Sequence, residues 1–252
     1  MVNYTQHLLK STSSIKEALI KLDALAKDAI LFIIDDLGKL QGSLTDGDVR
    51  RGLLNGVIIE DLVTKILQTN PKFILKSNYD LQEVIDLRSE NYKVFPVLDD
   101  DEIIINVVNF RLIKSYLPLD AILMAGGKGT RLDPFTRILP KPLIPLGNNP
   151  IIKVIMDNFL SSGLKKFYIS INEKGGMIKA YFNDLKSLYD IKYIEEKKPL
   201  GTAGSLKLLK NKLKNTFFVT NSDILIHSHY PLMIDFHKKN NYDMTLISSI
   251  RN

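Results

Sequence analysis

The chain has 252 residues, 45% of them apolar and 25% charged, with no Cys and no Trp. That composition excludes disorder, collagen-like repeats and disulfide scaffolds, and the missing thiol excludes Cys-ligated zinc and a thiol nucleophile. No run approaches about 18 apolar residues and the N-terminus lacks a signal-peptide core, so a cytoplasmic protein without membrane spans is expected.

The net charge is +6, but residues 1–117 sum to −3 and residues 118–252 to +9. This asymmetry points to two domains and to an anionic ligand on the second. Lys165-Lys166, Lys197-Lys198 and the Lys207–Lys214 group read as solvated helix faces. No aromatic residues interleave them, so no nucleic-acid partner is expected.

The N-terminal half carries an internal repeat. Ser14 to Leu19 reads as a short amphipathic helix with Ser14 as its cap, and Tyr79 to Ile85 repeats it. Each is followed by an apolar strand ending in acids, Leu31 to Asp36 and Val94 to Asp100. A second strand follows each, Leu40 to Leu44 and Ile103 to Val108, and then a helix. A repeat of this size predicts two supersecondary units packed against each other. His7 is expected at the surface.

Gly42-Ser43-Leu44-Thr45-Asp46-Gly47-Asp48-Val49-Arg50-Arg51 is very similar to the strand-to-helix signature of a CBS domain. The resemblance implies a CBS pair that binds AMP or ATP and supports a homodimer. Asp46 would take the ribose hydroxyls and Thr45 a phosphate. Aligned at an offset of 63, the second copy has Asn109 for Asp46, Val108 for Thr45 and Ile105 for Gly42. Equally open is a purely structural role, in which Asp46 and Asp48 cap the following helix. Pro118 then closes the first domain, giving boundaries of 1–117 and 118–252.

The buried strand Leu119 to Met124 leads into Ala125-Gly126-Gly127-Lys128-Gly129-Thr130-Arg131-Leu132. Such a turn lets backbone N–H groups approach phosphate oxygens. A P-loop is excluded because Thr130, not Lys, follows the last glycine, and a dinucleotide fingerprint because Leu132 stands at its third glycine. Pro134-Phe135-Thr136 follows, and then Pro140-Lys141-Pro142-Leu143, where flanking prolines pre-set the backbone of a lysine. Further strands are expected at Phe167–Asn172, Ile191–Glu196 and Phe217–Leu225, with helices at Asn149–Ser162 and Thr202–Lys212. The alternation implies a parallel sheet, whose ligands sit at the strands' carboxyl ends. Gly126, Asn172, Glu196 and Asp223 all fall there. His227, His229 and His237 are too loosely spaced for a metal site.

Together these motifs resemble the N-terminal signature of sugar-1-phosphate nucleotidyltransferases. The implied fold is α/β: a CBS pair followed by a Rossmann-like domain with a mostly parallel sheet, incomplete at its C-terminus. The implied reaction is transfer of a nucleoside monophosphate to a sugar 1-phosphate, for amino-sugar, nonulosonic acid or surface-glycan synthesis. By resemblance, Gly126, Gly127, Gly129, Thr130, Asn172, Glu196, Gly201 and Thr202 bind nucleotide. Arg131 would stabilise the leaving phosphates, Lys141 the attacked centre, and Asp223 would hold Mg²⁺. Asp133 departs from the family's usual neutral or basic residue. Glu196 stands where pyrimidine-specific relatives place Gln; an ionised carboxylate only accepts, which suits the N1–H and N2–H₂ of guanine, so GTP is the expected donor. The family's domain runs on past residue 252, so a fragment without turnover of its own is expected. A nucleotide-sensing module and a noncatalytic assembly subunit are the alternatives. The last predicted strand is Asp243–Ile250.

Overall fold

The computed structural model describes residues 4–77, 80–90, 92–127, 129, 132–172, 174–185, 188–196, 200–201, 203–213, 215–226 and 228–248. Thr130, Arg131, Thr202, Lys128, Tyr79, Lys197, Lys198, Lys214 and His227 lie outside the described residues. The chain divides into two compact units, residues 1–113 and 114–252.

In the first unit, β1 (Leu8–Lys10), α1 (Ile15–Leu25), β2 (Ile30–Ile34), β3 (Leu40–Thr45) and α2 (Asp46–Leu54) form one repeat. The second comprises β4 (Ile74–Leu75), α3 (Leu81–Ser89), β5 (Val94–Leu98) and β6 (Ile104–Asn109). Each sheet has the same topology, a parallel pair and then an antiparallel one. Ser14 caps α1 through a capping box with Glu17, and Asp80 caps α3. The second sheet is one pair shorter. β1 pairs Phe32, Ile33 and Ile34, whereas β4 pairs only Val97 and Leu98 and stops before Pro96, which has no N–H to donate.

The strand register corrects the alignment of the two copies. Ile30 pairs with Thr45 and Val94 with Asn109, so equivalent residues are 64 apart, not 63. Asn109 therefore corresponds to Thr45, Phe110 to Asp46 and Asn106 to Gly42. The turns agree: Asp35 accepts from the N–H of Leu37 and Lys39, and Asp99 from Asp101 and Ile103. An odd shift matters because strand side chains alternate between faces. With the register at 64, Phe32 of one copy packs against Val94, Leu98 and Ile104 of the other. The opposite face of the first sheet, Leu31, Ile33 and Leu44, is covered by Ile15, Ala18, Leu22 and Val49. The copies also meet edge to edge, Leu40 N–H donating to Glu102 O (3.2 Å) and Ile104 N–H to Gly38 O (3.3 Å). Those donors and acceptors are equivalent residues, so the contact has local two-fold symmetry.

Two further expectations are corrected here. His7 is fully buried, with its ring Nδ1 2.9 Å from the Ile30 carbonyl oxygen. Its single N-terminal turn places it against β2, which local sequence could not reveal. After β6 the chain makes a turn at Asn109–Ile113 instead of a helix. The residues that would extend a helix are taken by the second unit, where Lys114 N–H donates to Ser161 O (2.6 Å) and Tyr116 and Leu117 are buried.

The second unit contains β7 (Asp120–Met124), α4 (Phe135–Ile138), the short hairpin β8 (Pro145–Leu146) and β9 (Asn149–Pro150), then α5 (Ile151–Ser161), β10 (Lys166–Ile171), α6 (Gly175–Asn183), β11 (Asp190–Glu195), β12 (Phe217–Asn221) and α7 (Tyr230–Lys239). The main sheet is all parallel, in the order β11-β10-β7-β12. α5 buries Ile152, Ile155, Met156 and Phe159, the spacing of one helical face. The helix expected at Thr202–Lys212 is only a 3₁₀ turn, Gly204–Leu209. Residues 243–248 form no strand and pair with none among the described residues, and Met244 and Leu246 are exposed. No helix among the described residues is long and apolar enough to cross a membrane.

Candidate functional site

The central strand β7 is flanked by β10 and β12, and the chain order reverses there. Open parallel sheets bind ligands at such a switch point, beyond the carboxyl ends of the strands. Gly126 lies two residues past β7, Asn172 one past β10, Glu196 one past β11 and Asp223 two past β12. Four chemically distinct residues therefore gather on one rim of the sheet.

The start of the glycine turn is tied down from β10. Ala125 N–H reaches the Ser170 hydroxyl oxygen (3.1 Å), and Asn172 Nδ2 donates to Gly126 O (2.6 Å). Gly126 is closely approached: a Cβ there would lie 2.8 Å from Glu196 Oε1, so the carboxylate would have to shift to admit one. Glu196 is thus packed against the turn, its other oxygen 3.4 Å from Leu200 N, and is not simply a member of a solvated charge cluster. Its neighbour Glu195 faces away and pairs with Lys179 (2.6 Å), whose ammonium holds that carboxyl below the usual carboxylate range. A side chain on Gly127 would meet nothing within 4 Å among the described residues, and the same holds for Gly201.

The far end of the turn is held from the other side. Gly129 has φ +70°, and a Cβ there would lie 2.8 Å from Thr136 Cγ2 and 3.2 Å from Lys141 Cβ. Thr136 donates its hydroxyl to Gly129 O (3.0 Å). Lys141, between Pro140 and Pro142, forms an ion pair with Asp223, both side chains being about 30% exposed. Ser222 N–H donates to Met124 O (3.3 Å), seating the Asp223 loop beside β7. Asp133 is engaged in a bidentate pair with Arg137 (2.7–3.0 Å), which answers its charge locally.

The structure thus brings together Gly126, Asn172 and Glu196 at one end of the turn, and Gly129, Lys141 and Asp223 at the other. Thr45 and Asp46 belong to the other unit. There the Thr45 hydroxyl and backbone N–H bond to the buried Asp48 (2.6 and 2.8 Å), which also holds Arg51 (2.6 Å). Asp46 is exposed at the start of α2. Two supporting residues escaped sequence reasoning, Ser170 and Lys174, whose Nζ donates to the carbonyl oxygens of Thr136 and Arg137; Thr136 stood in a motif but was given no role of its own. Ser170 carried a signal, as the one polar residue within Phe167–Ile171; Lys174 carried none.

Among the described residues no group of three or more His, Asp or Glu side chains forms a metal cluster. Asp223 alone still suits Mg²⁺, which commonly takes one or two carboxylates and completes its shell with phosphate oxygens and water.

Residues 120–252 match the nucleotidyl transferase family model. A mannose-1-phosphate guanylyltransferase from Mycobacterium tuberculosis is 35% identical over 130 residues, covering 51% of this chain and 36% of that protein. HddC from Yersinia pseudotuberculosis, solved with GMP-PN, is 26% identical with a TM-score of 0.43, covering 47% of this chain and 54% of the other. A cystathionine beta-synthase pair domain from Shewanella oneidensis MR-1 is 17% identical with a TM-score of 0.37, covering 43% and 62%. The chain spans little more than a third of the length of the curated relatives it matches. With the family match running through more than half its length and the motif residues gathered on one sheet rim, the chain belongs to the nucleotidyl transferase family.

Proposed function

We propose that the second unit serves transfer of GMP from GTP to a sugar 1-phosphate. A phosphate oxygen of the sugar attacks the α-phosphorus in line, the bond to the bridging oxygen of the β-phosphate breaks, and pyrophosphate leaves. Little proton chemistry is involved, so positioning and electrostatic stabilisation carry the rate. The observation that supports this reading best is the division of the glycine turn. A hydrogen-bond acceptor, Glu196, sits against Gly126, while Lys141 and Asp223 sit at the Gly129 end. A nucleotide laid along the turn would meet a base reader at one end and charge-stabilising groups at the other.

Glu196 would take the adjacent N1–H and N2–H₂ of guanine bidentately, whereas uracil and thymine would set carbonyl oxygens against it. The named relative being a guanylyltransferase agrees with this. Lys141 would meet the phosphate at the attacked centre, and Arg131, by sequence alone, the leaving phosphates. Mg²⁺ at Asp223 would neutralise charge on the phosphates as pyrophosphate departs. The product would feed amino-sugar, nonulosonic acid or surface-glycan synthesis.

For the first unit we propose a regulatory and dimer-forming role. Its paired repeats with local two-fold symmetry support this, with Asp46 free to meet an adenosine ribose. Thr45 is a poorer phosphate ligand than its motif implied, since Asp48 holds its hydroxyl.

Thermal-shift titration with GTP, UTP, CTP, ATP and dTTP, with and without Mg²⁺, tests the proposal. GTP should stabilise most. Preference for UTP or dTTP would overturn the base assignment, and no stabilisation by any nucleotide would overturn the site.

A further inference from the structure

The second unit has a cavity of about 450 Å³ on one face of its sheet, lined by Lys166, Tyr168, Lys192, Ile194, Leu209 and Lys212. Lys166 and Tyr168 alternate along β10, and Lys192 and Ile194 along β11, where Tyr168 pairs with Lys192. Residues two apart on a strand share a face, so these four side chains project together. Of the pair Lys165-Lys166, read from sequence as a helix face, Lys166 instead opens β10 and Lys165 directly precedes it.

The floor is apolar and ordered. Tyr168, Ile194 and Leu209 are each at most 7% exposed and pack with Ile122. The rim is cationic. Asp120 Oδ2 holds the Lys166 ammonium at 2.9 Å, and that ammonium sits 5.2 Å from the centre of the Tyr168 ring. Lys192 and Lys212 are exposed, and neither has an ion-pair partner among the described residues. The volume falls within the range of small-molecule sites, about 300–1,000 Å³. Asp120 and Lys166 open β7 and β10, whereas the glycine turn and Asn172 follow the ends of those strands. The cavity therefore runs along the face of the sheet from the start of β10, and on β11 it reaches Ile194, two residues before Glu196.

Taken together, the aromatic and aliphatic floor, the fixed ammonium and the two uncommitted ones describe a receptor for a molecule with both an anionic group and an apolar body. We propose that this cavity binds a phosphorylated small molecule carrying an aromatic or aliphatic moiety, separately from the nucleotide at the glycine turn. The phosphate would lie between Lys192 and Lys212, and the apolar part against Tyr168, Ile194 and Leu209. Neither half of such a ligand would suffice. A bare phosphate would make no contact with the exposed edges of Tyr168 and Ile194 or with the lysine stems, and a neutral ring would leave the lysines unanswered.

Calorimetric titration of the full chain with 1-naphthyl phosphate, 1-naphthol and inorganic phosphate tests this. The naphthyl phosphate should bind at least tenfold more tightly than either control. The double variant Lys192→Gln/Lys212→Gln should lose at least tenfold of that affinity while keeping the thermal midpoint and the GTP response of the parent. Lys141→Gln should leave naphthyl phosphate binding unchanged. No binding to the parent chain, equal affinity in the double variant, or loss in Lys141→Gln, which would locate the anion at the glycine turn, would each overturn the proposal.

Discussion

Gly126 and Gly127 are adjacent and chemically identical, yet their surroundings differ. A methyl group at Gly126 would displace the Glu196 carboxylate, and one at Gly127 would enter open space. Gly126→Ala should therefore reduce the preference for GTP over UTP by roughly tenfold, the loss of about one charged hydrogen bond. Gly127→Ala should leave it within about twofold. Nucleotide titrations of the two variants check this; equal effects would mean that Glu196 does not read the base. Asp223→Asn keeps the shape of the site but removes the charge. GTP binding without Mg²⁺ should persist, and the added stabilisation from Mg²⁺ should disappear. An undiminished Mg²⁺ effect would take Asp223 out of the metal site.

At the scale of the element, α2 shows how a motif residue can be committed to structure. Thr45 and Asp48 satisfy each other's backbone N–H groups, a reciprocal cap. Thr45→Ala should cost about 1–2 kcal/mol, read from urea denaturation at pH 7. The same pair has a pH signature. Burial by itself would raise the Asp48 pKa, but the bonds from Thr45 and Arg51 hold it below the ordinary value of 3.8. A carboxyl depressed in the folded state contributes stability above its unfolded pKa and loses it as pH falls through the folded one. The gap between parent and Thr45→Ala should thus be full near pH 6 and shrink below about pH 4. A gap independent of pH would show that Asp48 is not the partner that matters. Elsewhere, Thr202–Lys212 illustrates the limit of pattern reading. Its place between two expected strands points to a helix, but the chain forms a 3₁₀ turn at Gly204–Leu209 that buries Ser205 and Leu209.

At the scale of the molecule, each unit has its own buried core, Phe32 and Leu31 among the centres of the first and Ile122 and Phe159 in the second. Two separate cores predict two independently folding bodies. Residues 114–252 produced alone should keep the GTP-dependent thermal shift of the whole chain, and residues 1–113 alone should unfold cooperatively by circular dichroism. Loss of the shift in the isolated second unit would mean that nucleotide binding draws on the first.

Much of this was legible along the chain. Turn glycines, strand-length apolar runs and the Pro-Lys-Pro segment are local signals, because backbone geometry and burial act over a few residues; they identified the parallel sheet and the residues on its rim. The repeat was visible for the same reason. Its register was not: 63 and 64 differ by one residue, and only the pairing of β2 with β3 and β5 with β6 decides which side chains face the partner copy. Nor could local sequence show that His7 is buried, that Asp133 turns to Arg137, or that Glu196 rests on Gly126. Each depends on a partner that the fold, not the neighbouring sequence, brings within reach. The apolar run at 243–248 has strand-like composition but pairs with no strand among the described residues, and it stays irregular. Propensity proposes an element, and the partners that satisfy its hydrogen bonds and cover its apolar face decide whether it forms.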